Sequence, residues 1–99
     1  MATEFSKWVG NLPHKDYETI RKKIMDATGV SSAAYSMWYR GENNPDMEKQ
    51  LAIAEIAYLY NRSTPFRRVT VKDAVTEDGK PTLSIRIISQ QDTALAVEK

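Results

Sequence analysis

The chain has 99 residues, of which 41% are hydrophobic and 27% are charged, as expected for one small folded domain. It has no cysteine, which excludes disulfides and sulfur-ligated metals, and its single histidine, His14, provides neither a metal-binding pair nor a nucleophile relay. We therefore expect no enzyme activity, no catalytic residue, no metal site, no cofactor and no small-molecule substrate. The net charge is only +1, so any nucleic-acid binding must depend on local charge patterning.

The sequence contains no signal for a membrane. It has no run of about 18 apolar residues, and residues 1–10 lack the basic start and apolar centre of a signal peptide. We expect a cytoplasmic protein that has no membrane partner.

Helical spacing of apolar residues predicts two helices before Gly29. The first extends from Thr3 to Val9, and Gly10-Asn11 supplies its stop signal. Asp16 is the predicted N-cap of the second helix, which ends at Gly29. The inner face of this second helix is formed by Tyr17, Ile20, Ile24 and Ala27.

Two further helices are predicted between Ser31 and Tyr60. Ser31 caps the third helix, which ends at Gly41 and whose inward residues are Ala34, Tyr35 and Trp38. Asn44-Pro45 starts the fourth helix as N-cap and first helical residue, because a proline there needs no amide hydrogen. The fourth helix extends to about Tyr60, and its apolar residues occupy more than one stripe, which predicts a central place in the core.

After Asn61 the hydrophobic period changes to two, which predicts two β-strands. The inward residues are Val69 and Val71 in the first strand and Leu83, Ile85 and Ile87 in the second. Pairing Val71 with Ile85 puts both rows on one face and leaves Glu77-Asp78-Gly79 as the loop of a glycine-bulged hairpin. An isolated hairpin is marginal in water, so its apolar face must cover the helices or pair with another chain.

The predicted fold class is mainly α, with a bundle of four or five helices followed by a C-terminal β-hairpin. We divide the chain into a helical domain at residues 1–62 and a hairpin extension at residues 63–90. The extension packs on the helical domain or serves for dimerisation, and residues 91–99 form a flexible tail.

The spacing of the second and third helices is that of a helix-turn-helix, since the two end at glycines twelve residues apart. This motif needs a residue tolerant of left-handed φ in the turn and buried side chains that fix the crossing of the helices. With Thr28-Gly29-Val30-Ser31, Trp38-Tyr39-Arg40-Gly41 and Pro45, the chain resembles the lambda-repressor-like helix-turn-helix family from roughly Phe5 to Tyr60.

The resemblance implies a helical DNA-binding fold whose third helix enters the major groove. The DNA-binding residues that it implies are Ser32, Ala33, Ser36 and Met37 at base edges, Arg40, Asn43 and Asn44 at bases or phosphates, and Ser31 at the start of the helix. Serine reads either base type, and alanine and methionine offer only apolar contact, so strong direct readout is not encoded.

Two groups of basic residues could hold phosphate, namely the run Arg21, Lys22 and Lys23 and the cluster Arg62, Arg67, Arg68 and Lys72. Taken alone, the first run is more typical of a solvated helix face than of a phosphate site, and only its place within the motif makes the two interpretations equal. Arg67-Arg68 is equally typical of charges that protect an edge strand from aggregation. Residues 1–60 contain 7 Lys and Arg against 8 Asp and Glu, so DNA binding requires the acidic residues to lie away from the motif.

The leading hypothesis is a small bacterial or phage-type transcriptional regulator that binds double-stranded DNA sequence-selectively as a homodimer. The hairpin would then be the dimer element or a basic wing over the adjacent groove. The alternative is a protein–protein interaction module that uses the β-hairpin and does not bind DNA. DNA binding predicts one positive face formed by Arg21, Lys22, Lys23 and Arg40, whereas the alternative predicts an exposed apolar patch.

Overall fold

The computed structural model describes residues 3–88, which form four α-helices followed by one antiparallel hairpin. The elements are α1 (Glu4–Gly10), a 3-10 turn (His14–Asp16), α2 (Tyr17–Thr28), α3 (Ser32–Arg40), α4 (Met47–Asn61), β1 (Val69–Val75) and β2 (Pro81–Ile87). The predicted order of helices and strands is confirmed, and the predicted tail at residues 91–99 lies outside the described residues. No helix within the described residues is long and apolar enough to cross a membrane.

Side-chain caps start α1 and α3. At α1, Thr3 Oγ1 accepts a hydrogen bond from the Ser6 amide over 3.1 Å, and Ser6 Oγ accepts one from the Thr3 amide over 2.8 Å. This reciprocal capping box satisfies two amides. At α3, Ser31 Oγ accepts from the Ala34 amide over 3.2 Å, so the predicted cap of this helix is confirmed.

The predicted N-cap of α2 is confirmed in position but not as a side-chain cap, and the predicted N-cap of α4 is wrong. Asp16 lies in the helical region and makes no side-chain cap, because a 3-10 turn leads directly into α2 and its carboxylate accepts a hydrogen bond from the Tyr60 hydroxyl. Helix α4 begins two residues later than Asn44-Pro45 predicts. Its cap is Asp46, whose Oδ1 accepts from the Lys49 amide over 3.0 Å. A carboxylate at this position also interacts favourably with the helix dipole.

Two glycines end the helices around the predicted turn. Gly29 follows α2 with φ of 72°, and Gly41 follows α3 with φ of 78°. The Gly29 amide donates to the Met25 carbonyl over 2.8 Å, which closes the last turn of α2. Because glycine adopts this left-handed region without steric cost, both predicted stops are confirmed.

A single hydrophobic core joins the helices to the hairpin. Phe5 of α1 lies at its centre, stacked on Phe66 at 6.3 Å and edge-on to Tyr35 at 5.9 Å and to Trp38 at 6.2 Å between ring centroids. Trp38 is only 5% exposed, which confirms its predicted place in the core. Each aromatic pair of this kind contributes about 0.5–1.5 kcal/mol beyond its area burial.

Helix α4 packs against α2 and both strands through residues that include Ile53, Ala54 and Ala57, all buried. The predicted inner face of α2 is correct at Ile20 and Ile24 but wrong at Ala27, which is exposed. Ala27 lines an open depression together with Thr28 and with Glu48, Lys49 and Ala52 of α4, so it stays accessible to solvent.

The hairpin has the predicted register, with Val71 opposite Ile85. Its loop is also as predicted: Gly79 has φ of 81°, and its amide donates to the Thr76 carbonyl over 2.9 Å. Val71 is buried, so the inner face of the hairpin covers the helices. At the loop end the apolar face extends past them, and Val75 is 69% exposed.

An ion-pair network holds the hairpin against the end of α4. Asp73 of β1 accepts two hydrogen bonds from Arg62 Nη1, over 2.8 and 2.9 Å, and one from the Tyr58 hydroxyl over 3.3 Å. Arg62 also lies over the Tyr58 ring, 4.7 Å from its centroid. These contacts offset the cost of the left-handed backbone of Arg62, whose φ is 62°.

Candidate nucleic-acid interface

The candidate interface is formed by α2, a three-residue turn and α3. Only residues 29–31 separate the two helices. Ile24 from α2 and Tyr35 and Trp38 from α3 are buried in the same core, in which α2 packs chiefly against α4 and α3 against α1. The surface of α3 opposite Tyr35 and Trp38 is therefore the one left for a partner.

The exposed surface of α3 is short in polar groups. Ser31, Ser32 and Ala33 at its N-terminal end are exposed, Met37 is 37% exposed, and Ser36 is half-buried. Hydroxyls and small apolar groups can contact base edges and thymine methyls, but none of them makes the bidentate contacts that discriminate strongly between bases.

Arg21 lies at the junction of α2 and α3. Its Nη2 donates to Ser32 Oγ over 2.6 Å, and its guanidinium carbon lies 5.7 Å from the centroid of the Tyr35 ring. Its Nη1 is also 4.0 Å from a carboxylate oxygen of Glu18. A cation from α2 is thus held at the N-terminal end of α3, where the helix dipole also favours an anion.

The two lysines that follow Arg21 are exposed, but acidic residues flank them. Glu18 and Asp26 stand four residues before and after Lys22 on α2, which places all three on one side of this helix. The same side forms a shallow depression that is lined by Glu18, Thr19, Arg21, Lys22, Met25 and Asp26. The acidic residues are therefore not separated from the motif, as a purely positive face would require.

The predicted contacts at the C-terminal end of α3 are partly engaged within the chain. Arg40 Nε lies 2.7 Å from Glu42 Oε2, so Arg40 has an acidic partner. The side-chain oxygen of Asn43 accepts a hydrogen bond from the Asn44 amide over 3.1 Å, and both asparagines are exposed. Exposed ion pairs such as Arg40 with Glu42 are weak and exchange readily with a stronger anion.

The second predicted basic cluster is divided by the fold. Arg62 binds Asp73 on the inner side of the hairpin, and Arg67 Nε lies 3.6 Å from Glu4 Oε2. Arg68 and Lys72 make no ion pair within residues 3–88.

Sequence reasoning missed Arg86, which the register places opposite Thr70 and on the same face of the hairpin as Lys72. The signal that could have revealed it is the strand alternation that correctly assigned Ile85 to the inner face.

A layer of tyrosines supports the junction of α2 and α3. The rings of Tyr17 and Tyr39 are 5.3 Å apart. Burial raises the pKa of Tyr35 far above its usual value, and burial followed by the neighbouring Tyr39 raises the pKa of Tyr17. Both hydroxyls are therefore neutral at physiological pH, and these residues pack rather than carry charge.

The described residues offer no candidate metal site. His14 is exposed on the 3-10 turn, and residues 3–88 contain no group of three His, Cys, Asp or Glu that could hold a metal ion. No protein-family model, curated protein or solved structure matches the chain.

Proposed function

We propose that this protein binds double-stranded DNA through α2 and α3 and acts as a small sequence-selective transcriptional regulator of the lambda-repressor-like type. The observation that carries the proposal is the connection between these helices. Gly29 turns the chain in the left-handed region, Ser31 caps α3, and both helices contribute buried residues to one core while the N-terminal end of α3 is exposed. In a helix-turn-helix, this end of the second helix contacts base edges.

Backbone contacts come from groups around the same helix end. The dipole of α3 and the guanidinium of Arg21 both favour a phosphate beside Ser31 and Ser32, and Lys22 and Lys23 add exposed charge. Acidic residues lie beside the motif, whereas a DNA-binding face requires them to lie away from it, so DNA binding here depends on their being displaced. The ion pair of Arg21 with Glu18 is long, at 4.0 Å, and Glu18 is largely exposed, so a phosphate can compete for the guanidinium.

Limited base readout favours binding as a homodimer. A single α3 offers serines, an alanine and a methionine to the bases, which gives little discrimination, and two symmetric half-sites multiply it. The hairpin is the element that we propose for dimerisation, since within the described residues its sheet contains only β1 and β2 and each strand keeps one free edge. Sedimentation that shows only monomer, with and without duplex, contradicts the dimer.

Paired variants test the assignment of roles. The double variant Lys22→Gln/Lys23→Gln is expected to weaken binding to every duplex and to reduce the slope of log affinity against log salt by about 2, since each lost phosphate contact removes about 0.9. Met37→Ala is expected to change the sequences recovered in a binding-site selection and to leave the salt slope unchanged. Identical effects of the two variants contradict the proposal.

A second candidate function is a protein–protein interaction module that uses the hairpin. It is favoured by the apolar groups left uncovered near the hairpin, because Val75 is 69% exposed and Ile87 is 43% exposed. Protein partners cover exposed apolar groups of this kind. The second candidate predicts that duplex DNA is not bound at low salt and that Val75→Ser abolishes capture of the partner.

A further inference from the structure

The face of the hairpin that points away from the helices is distinct in chemistry from the rest of the molecule. Because Val69 and Val71 are buried inward, strand alternation directs the intervening residues outward. With the observed register, the outer hairpin face consists of Thr70, Lys72 and Ala74 from β1 and Thr82, Ser84 and Arg86 from β2.

This outer hairpin face carries charge of one sign. Lys72 and Arg86 are exposed, and neither has an acidic group within ion-pair distance in the part of the chain that the structure describes. The nearest acidic residue along β1, Asp73, lies on the inner face and is bound by Arg62. By contrast, two of the cations predicted at the α2–α3 junction, Arg21 and Arg40, already have acidic partners.

The arrangement of these side chains suits a row of phosphates. Thr70 is opposite Arg86 and Lys72 is opposite Ser84, so the two cations are diagonal neighbours, about 7–8 Å apart at their Cα atoms. A hydroxyl therefore stands beside each cation, and Ser and Thr hydroxyls with Lys and Arg are the side chains that contact DNA phosphates. Thr70, Lys72 and Arg86 also line one shallow depression together with Ile87 and Ile88.

A third cation lies at the base of the same face. The carbonyl of Arg68 accepts a hydrogen bond from the Ile88 amide over 2.6 Å, which continues the pairing of the strands by one residue and brings Arg68 level with Ile88. Arg68 is exposed and makes no ion pair with any other residue between 3 and 88. Three cations without an anion nearby repel one another, and a bound polyanion relieves that repulsion.

We propose that the outer hairpin face, through Lys72 and Arg86 with Thr70 and Ser84, binds the sugar–phosphate backbone of duplex DNA as a second contact surface separate from α3. This inference rests on the proposed function in that the ligand is the same duplex. It assigns the hairpin a role in affinity, independent of base readout.

The experiment is a fluorescence-anisotropy titration of a mixed-sequence duplex with four full-length proteins. These are the wild type, Lys72→Gln/Arg86→Gln, the junction variant Lys22→Gln/Lys23→Gln, and the control Lys7→Gln/Lys15→Gln. The control removes the same charge from two exposed lysines on α1 and the 3-10 turn. Each substitution is at an exposed position, so we expect all four proteins to fold. Matching thermal unfolding curves check this expectation.

We expect Lys72→Gln/Arg86→Gln to lower affinity about tenfold at about 0.1 M salt and to reduce the salt slope by about 2, while the control changes neither. The proposal is overturned if Lys72→Gln/Arg86→Gln keeps the affinity and salt slope of the wild type. It is also overturned if this variant and the control lose affinity and slope to the same extent. If only the junction variant loses binding, DNA contact by the outer hairpin face is contradicted and the proposed function stands. If only Lys72→Gln/Arg86→Gln loses binding, contact by the outer hairpin face stands and binding through α3 is contradicted. A wild type that binds anionic lipid vesicles but no duplex overturns both.

Discussion

Arg21 Nη2 donates a hydrogen bond to Ser32 Oγ over 2.6 Å, which joins the middle of α2 to the first turn of α3. The same guanidinium lies 5.7 Å from the Tyr35 ring centroid, so it is held by two contacts with α3. Arg21 of α2 thereby contributes to the end of α3 that we propose to face DNA. Replacing Arg21 removes both a positive charge and the contact with Ser32, and these two effects can be separated.

Replacing Arg21 with Gln is expected to weaken duplex binding about tenfold, because it removes both a charge and the contact with Ser32. Lys22→Gln removes a neighbouring exposed charge alone and is expected to cost a few-fold in affinity. Arg21→Lys keeps the charge without the planar guanidinium, so its affinity should lie between wild type and Arg21→Gln. Anisotropy titration measures all three, and equal losses for Arg21→Gln and Lys22→Gln contradict a positioning role for Arg21.

The turn before α3 can be tested by adding a side chain to Gly29. An alanine there meets no atom within 4 Å, but it must adopt φ of 72°, which costs about 1–2 kcal/mol. We expect Gly29→Ala to lower the free energy of unfolding in urea by about that amount. Gly10→Ala is the matched control, since Gly10 also has open space but lies within α1, where alanine stabilises by about 0.5–1 kcal/mol. Changes of the same sign in both variants contradict the account of the turn.

The buried hydroxyl of Tyr35 has no hydrogen-bond partner among residues 3–88. An unsatisfied buried polar group costs about 1–3 kcal/mol, so Tyr35→Phe is expected to raise the free energy of unfolding by about 1 kcal/mol. The same change at Tyr60 removes a hydroxyl that donates to Asp16 and should lower the melting temperature. Thermal unfolding followed by circular dichroism compares the two variants, and a clear loss of stability in Tyr35→Phe would show that its hydroxyl is satisfied.

The contact between the hairpin and α4 is expected to depend on pH. Hydrogen bonds from Arg62 hold the pKa of Asp73 below its usual value. The ion pair therefore stabilises the fold above the unfolded-state pKa of about 3.9, and this contribution is lost as pH falls through the lower folded-state pKa. Asp73→Asn should lower the melting temperature at neutral pH, and its difference from wild type should shrink as the pH falls below the unfolded-state pKa.

The control for this pH dependence is Glu55→Gln on α4, an exposed acidic residue with no ion-pair partner in the described range. It should leave the melting temperature unchanged at neutral pH. A difference between Asp73→Asn and wild type that persists undiminished in acid would mean that the hairpin is held by contacts other than this ion pair.

Elements with a strong local signal could be predicted from the sequence. The glycines at positions 29 and 41 need no partner to end a helix, and a two-residue alternation fixes the pairing of Val71 with Ile85 because any slip would expose the apolar row. The cap of α4 could not be decided in the same way. Asn44 and Asp46 are both good caps, and only the competition between them in three dimensions selects Asp46.

Charge pairing at the candidate site was the least predictable feature. The sequence shows only that Arg62, Arg67 and Lys72 are near one another in the chain. In the structure, Arg62 at the end of α4 pairs with Asp73 on the inner face of β1, whereas Lys72 lies on the outer face and is exposed. Arg86 is 14 residues from Lys72, and only the register places them on one face. Long-range partners of this kind depend on the fold as a whole.

The most direct test of the central claim is a fluorescence-anisotropy titration of the wild-type protein with mixed-sequence duplex DNA at about 0.05 M and about 0.2 M salt. The proposed DNA binding predicts dissociation constants in the micromolar range at the lower salt and a steep loss of affinity at the higher salt, because counterions are released when Lys and Arg contact phosphates. Absence of binding at the lower salt would contradict DNA binding by both the α2–α3 junction and the outer hairpin face.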